Sequence, residues 1–356
     1  MKKTPLVAVA TLTAALALTS CSTGGGETPA GEVGDVDVSA ILAQAGNDKL
    51  DPDVICAGGR QYTIGYDTFS DTESFSVQQW KGLQQIADDL GCVTVERLVD
   101  NADATQAVQN AKIFVQKGMD GAMLFNVIAA AAPGQARVLK EAEIPAITVG
   151  ISAPGLPFLT IDEGAAGKTV GEALAQAYVD SGSTDEVYAV IARNDETGPV
   201  GIARMDGVNN GLQSVLPDLS DNHILTIQAG DPATAQSRTL DVLGKVPDGA
   251  TILFTGINDD IGYGVFRGIV QAGREADALG GTIGAVRPVG LNYICQNEQY
   301  VGGVAFQPEK FGNFMLPAII ASINGAKLPE TIDIPSKWVA REDIAAAFPD
   351  FTCGEQ

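Results

Sequence analysis

Among 356 residues there is one histidine, and aromatic residues make up only 6% of the chain. A single imidazole, with no Cys-x-x-Cys spacing, leaves no ligand set for zinc. The GxSxG nucleophile elbow, HExxH and the GxxxxGK[ST] phosphate loop are all missing. The nearest nucleotide-like run, Gly262-Tyr263-Gly264-Val265-Phe266-Arg267-Gly268, has the wrong spacing and falls inside an expected helix. His223 opens an expected strand, a structural place rather than a catalytic one, and no pattern singles out a carboxylate pair for hydrolysis. The expectation is a protein without catalytic residues, metal or cofactor, and so not an enzyme. Positive charge is scarce too, with 22 Lys and Arg against 44 Asp and Glu. A body this acidic, with no basic cluster, repels phosphate backbones, which excludes nucleic acid as a partner. Its acidity serves solubility.

The chain also lacks an apolar run long enough to span a bilayer, which takes roughly 20 residues. The apolar stretch Leu6 to Leu18 follows Lys2 and Lys3, the layout of a secretory signal over residues 1–20. It ends in Leu18-Thr19-Ser20-Cys21, which resembles the lipobox of bacterial lipoproteins and implies lipid on Cys21. Without the signal, 20 basic residues stand against 44 acidic ones. The following Ser22-Thr23-Gly24-Gly25-Gly26-Glu27-Thr28-Pro29-Ala30-Gly31 has nothing to bury and reads as a tether. The tether is assigned residues 21–55. Val36 to Ala45 carries a weak helical pattern, and the compact body is expected to begin near Cys56.

From Tyr62 onward, short β-branched runs alternate with helical patterns. Strands are expected at Tyr62–Tyr66, Val93–Val99, Gly121–Asn126, Ala146–Gly150, Val187–Ala192, Ile224–Gln228, Thr251–Thr255 and Val286–Leu291. Between them, Val77, Trp80, Leu83, Ala87 and Leu90 share one helical face that stops at Gly91, and Ala104 to Val115 forms another that stops at Gly118. Further helices fit Ala166–Asp180, Gly201–Leu216, Ala233–Leu243, Asp260–Ala272 and Phe311–Ile323. Such alternation specifies parallel sheets covered by helices. The loop-rich Ser152-Ala153-Pro154-Gly155-Leu156-Pro157 interrupts it. Two doubly wound lobes joined near Asp162 account for that break better than an eight-stranded barrel, the main alternative.

An exported body permits disulfides, and Cys56, Cys92, Cys295 and Cys353 allow three pairings. Cys56 lies just before the first strand and Cys92 just before the second. Parallel neighbours would bring both to one sheet edge, which favours Cys56–Cys92 and leaves Cys295–Cys353. Ligands of open parallel sheets sit beyond the carboxyl ends of the strands. Those ends carry Asp67 with Phe69, then Asp100, Asn126, Asn194 with Asp195, Asn258 with Asp259, and Asn292. Asp and Asn are also ordinary turn and cap residues. The set persuades more than any member, since two facing lobes would converge it on one cleft.

The chain here resembles the ribose-binding type (type I) of periplasmic solute-binding protein, over most of residues 62 to 340. The resemblance rests on Tyr62-Thr63-Ile64-Gly65-Tyr66, Phe75 before a helix with Gly82, Asp88-Asp89-Leu90-Gly91 and Lys117-Gly118-Met119-Asp120-Gly121. It continues through Ile144-Pro145-Ala146-Ile147-Thr148-Val149, Thr160-Ile161-Asp162, Gly256-Ile257-Asn258-Asp259-Asp260 and Gly303-Val304-Ala305-Phe306-Gln307-Pro308. It implies two doubly wound parallel-sheet lobes on a three-strand hinge: residues 56–163 with about 307–332, and 164–306 with about 333–356. It also implies a monomer that closes on a small polar solute, usually a sugar, and delivers it to an ABC permease and its ATPase outside the cytoplasm.

The family's binding positions carry over in part. Its stacking aromatic matches Phe75 and its Asn matches Asn258, while its later Asp corresponds to Asn292 and its Gln falls at Phe306 or Gln307. The Asp-Arg pair expected after Val149 is replaced by Gly150-Ile151, and the expected helix Arg has no clean match, although Arg204 is near. Losing those charged grips argues against simple ribose specificity. A sugar, sugar-like polyol or other hydroxylated solute remains, and the acidic strand ends leave room for a cationic or amino-acid-like one. Presentation of the solute to a sensor or chemoreceptor is the alternative to import. The repressor relatives of this fold are excluded by the N-terminal signal, which stands where their helix-turn-helix would be.

Overall fold

Apolar runs set between polar turns build two open sheets of six strands each in the computed structural model, which describes residues 36–355. In chain order the strands are β1 Tyr62–Thr68, β2 Val93–Val99, β3 Gly121–Phe125, β4 Ala146–Val149, β5 Phe158–Thr160, β6 Val187–Arg193, β7 Ile224–Gln228, β8 Thr251–Gly256, β9 Ala278–Gly284, β10 Tyr300–Ala305, β11 Thr331–Asp333 and β12 Lys337–Ala340. The first sheet runs β11-β5-β4-β3-β1-β2 and the second β12-β10-β9-β8-β6-β7. One topology is thus used twice, and every pairing is parallel except β10 with β12. Open edges on both sheets dispose of the barrel.

Helices start and stop where local chemistry demands. Asp103 Oδ1 accepts from the Thr105 and Gln106 amides (2.7 and 2.9 Å), satisfying free N–H groups at the start of Ala104–Lys117. Gly91 takes the left-handed conformation (φ 71°) that ends Ser74–Leu90. The chain passes between lobes three times: after β5 into the helix Glu163–Asp180, after β10 into the helix Gly312–Ile323, and between β11 and β12. Disulfides join Cys56 to Cys92 and Cys295 to Cys353.

Two expectations are corrected. Residues 36–55 are not tether: Asp37 caps a short helix, Val38–Leu42, and Ile41, Leu50 and Ile55 are buried. These three apolar side chains anchor the segment in the core, and the Gly46 amide donates to the Asn313 carbonyl (3.1 Å). The signal, Cys21 and the Gly-rich stretch lie outside the described residues. The second correction concerns Val286–Leu291, which is loop and the start of the helix Val289–Gln296; the strand is Ala278–Gly284. Its glycines hide it from β propensity. Gly280 has no alternative, because a β-carbon there would lie 2.1 Å from the Phe254 ring.

Candidate functional site

In each sheet the strand order reverses once, between β1 and β3 in lobe 1 and between β6 and β8 in lobe 2. A crevice opens at such a reversal. Phe69 and Asn126 follow β1 and β3; Asn194 and Asn258 follow β6 and β8. The lips of the two crevices approach each other, since a β-carbon on Gly198 after β6 would lie 3.8 Å from the Ala129 β-carbon after β3.

A chain of phenylalanines lines the junction. Phe69 meets Phe125 edge-on (centroids 5.2 Å), and Phe75 packs on Phe125 (5.5 Å), Phe311 (5.3 Å) and Phe306 (6.5 Å). Phe75 begins a lobe 1 helix whose cap, Glu73, accepts from the Ser76 amide (2.9 Å). Phe306 directly follows β10 of lobe 2, so the Phe75–Phe306 contact crosses between the lobes. Phe69 and Phe75 keep partly exposed faces, while Phe125 and Phe306 are buried.

Polar groups reach the same place. The Arg204 guanidinium lies 5.1 Å over the Phe306 ring; its Nε donates to Glu163 Oε2 and one Nη to the Ile257 carbonyl, each at 2.6 Å. Arg204 comes from the helix Pro199–Val215, one turn inside the position where the sequence pattern looked for an arginine. Asn258 Oδ1 caps its helix at Ile261 (2.9 Å) and Asn194 Oδ1 accepts from Glu196 (3.2 Å), which leaves the donor side of each amide over.

Several candidates are turned elsewhere. Asp67 is fully buried beneath the sheet, accepting from Asn110 and Gln135, and burial pushes its carboxyl up to about 8. Asp259 accepts the Ala285 and Val286 amides (2.9 and 2.8 Å) and is pushed up by burial to about 7. Asp100, raised by burial to about 6, accepts from the Ala102 amide in its own turn (2.7 Å). Asn292 is not at a strand end. It sits on Val289–Gln296, donating to the Glu355 carbonyl and accepting from the Gly354 amide (2.8 and 2.7 Å), so it holds the C-terminal tail instead of a solute. Gln307 adopts a left-handed backbone (φ 50°) at the second crossing.

Arg204, Phe125 and Gln135 were not picked out as site residues. Phe125 and Gln135 look like ordinary core and helix positions, and only the fold brings them to the crevice. The missing acid after β4 has a steric reason: Gly150 has φ 79°, and a β-carbon there would lie 2.5 Å from the Asn126 carbonyl oxygen.

The model of the family described as periplasmic binding protein domain matches residues 64–327. An ABC transporter solute-binding protein from Bacillus halodurans with bound myo-inositol superposes with TM-score 0.69 at 16% identity, covering 82% of this chain and 99% of its own. One from Mycobacterium smegmatis with bound glycerol gives 0.68 at 19% identity, over 82% and 98%. Another, from Actinobacillus succinogenes with bound D-allose, gives 0.67 at 15% identity, over 79% and 98%. No curated protein sequence matches the chain.

Proposed function

Because the chain belongs to the periplasmic binding protein family, we propose that it captures a small neutral sugar or polyol outside the cytoplasm and hands it to an ABC importer. The observation that carries this reading is the meeting of both strand-order reversals, each with its Asn, on the ring chain from Phe69 to Phe306. A sugar has C–H faces for Phe69 and Phe75 and hydroxyls for the asparagine amides and Arg204. The bound myo-inositol, D-allose and glycerol of the structural relatives are of this chemical class.

A cationic solute is the weaker reading. Asp67, Asp100 and Asp259 spend their oxygens on internal donors, and Glu163 is paired with Arg204. Binding draws the lobes together about the three crossings, and the permease reads the closed form. Lipid on Cys21 keeps the monomer near that permease; Cys21→Ser should release the protein from membranes into the soluble fraction.

Thermal-shift screening against sugars, polyols, amino acids and polyamines tests the reading. A solute at a hundredfold excess over its Kd adds about 2.7 kcal/mol, so a neutral sugar or polyol should raise Tm clearly. A shift by polyamines alone, or by none of the classes, would sink it. Phe75→Ala removes the stacking ring, and Asn258→Ser keeps a cap while withdrawing the amide donor. Each should weaken the solute that binds by about tenfold, equivalent to about 1.4 kcal/mol. Unchanged affinity in both variants would remove these residues from the site.

A further inference from the structure

Beneath the lobe 1 crevice runs a buried chain of amides. Asn110 Nδ2 donates to Asp67 Oδ1 (2.7 Å), and Gln135 Nε2 donates to Asp67 Oδ2 (2.5 Å). Gln135 Nε2 also donates to the Ala107 carbonyl (3.1 Å), while its Oε1 accepts from Asn126 Nδ2 (2.7 Å). All four side chains are buried.

A side-chain amide can be turned over without changing shape, so its orientation is set by its partners. Here the reversal is blocked. The Ala107 carbonyl has lone pairs only: it accepts from Nε2 and would repel Oε1. Gln135 therefore keeps its nitrogen toward Ala107 and Asp67 and its oxygen toward Asn126, which must answer with its own nitrogen. A proton on Asp67 does not undo this, because it goes to Oδ1 on the Asn110 side. Asn110 can turn over there, since its other partner Gln106 is exposed. Asn126 Oδ1 is the amide face left over, and among the described residues no protein donor reaches it.

We propose that Gln135 is a positioning residue of the solute site. Pinned by Ala107 and Asp67, it presents Asn126 at the crevice as a hydrogen-bond acceptor only. The solute must then donate a hydroxyl or N–H at this point, and an ether or fluorine in its place is rejected. This rests on the solute-capture reading above.

Side-chain amide NMR on the full chain reads the orientation directly. The Asn126 NH2 should be protected from solvent exchange, and that protection should vanish in Gln135→Met. Free exchange in the unaltered protein would overturn the proposal, so the test stands even if Gln135→Met fails to fold. Calorimetry with D-glucose, D-galactose, D-ribose and myo-inositol and their monodeoxyfluoro analogues reads the consequence. Fluorine at one position should cost about tenfold or more in the unaltered protein. In Gln135→Met, where Asn126 is free to turn its nitrogen outward, the same replacement should cost less than about threefold. Equal fluorine penalties in the two proteins would reduce Gln135 to a core residue. A protected Asn126 amide with no binding of any of these compounds would overturn the solute reading and the recognition role together. Sugar binding beside a freely exchanging amide would overturn the positioning role alone.

Discussion

Gly171→Ala should destabilise lobe 2 by about 3 kcal/mol or more, and Gly171→Val should prevent that lobe from folding. The helices Glu163–Asp180 and Pro199–Val215 pack with their backbones touching. A β-carbon on Gly171 would lie 2.2 Å from the Val208 carbonyl oxygen, and one on Gly211 would lie 2.2 Å from that of Lys168. Gly167 and Gly207 stand in the same relation to the carbonyl oxygens of Arg204 and Gly164, at 1.8 and 2.3 Å. Neither partner is a flexible side chain that can swing aside. Even a methyl group must push the helices apart, and the buried Val170, Leu174, Met205, Val208 and Leu212 lose their packing with it. The sign makes the test decisive, because helix propensity alone favours Ala over Gly by about 1 kcal/mol. Gly244→Ala is the control: its φ is −61° and no atom lies within 4 Å of the new β-carbon, so it should be neutral or slightly stabilising. Denaturant unfolding followed by tryptophan fluorescence separates the lobes, since Trp80 is in lobe 1 and Trp338 is on β12 of lobe 2. A Gly171→Ala protein as stable as its parent would mean that the two helices do not pack this closely. The same packing places Arg204 and Glu163, so a looser pair should also lose affinity for solute.

The architecture was legible because its signals are local and repeat. Short β-branched runs, helical faces and glycine stops recur often enough that one weak element does not obscure the plan. The exception is instructive. Ala278–Gly284 escapes because its small residues are demanded by neighbours, the Phe254 ring above all, and that demand exists only after folding. The misplaced strand at Val286–Leu291 then carried Asn292 into the candidate site with it. Of the strand-end residues that the sequence offered, Asn126, Asn194 and Asn258 follow the strands at the two reversals, and Phe69, Phe75 and Phe306 belong to the ring chain. The sequence could not say which way a side chain turns. Asp67 and Phe69 are neighbours in sequence, yet one is spent beneath the sheet on Asn110 and Gln135 while the other keeps a face toward the crevice. Nor could residues such as Gln135 be found, because their role lies in a partner's partner.

The folded protein should be more stable at pH 5.5 than at pH 8.5, with Tm higher by roughly 5–10 °C. Asp67 and Asp259 are buried and held by neutral donors, not by cations, so burial raises them to about 8 and about 7. In an unfolded chain an aspartate titrates near about 3.9. Between these values the fold keeps a proton that the unfolded chain has released. The stabilisation is therefore complete below about pH 4 and lost as the pH rises through about 7 to 8. At about 1.4 kcal/mol per unit, the step from pH 5.5 to 8.5 removes up to about 5 kcal/mol. Asp100, Glu73 and Glu309, all raised by burial, act in the same direction. The net charge of −22 adds self-repulsion that grows as the last carboxyls ionise. At the acid end Glu355, held down by its hydrogen bond from Arg287, and Asp231, held down by the Thr234 donors, act in the opposite direction, so stability should turn down again once they take up protons. Asp67→Asn is the specific check. An amide at this position offers Gln135 an acceptor and Asn110 a donor, as the protonated acid does, and it cannot ionise. The variant should match its parent at pH 5.5 and exceed it at pH 8.5, with a visibly flatter dependence of Tm on pH. A parent Tm that is level or rising over this interval would show that these carboxyls are not held protonated by the fold.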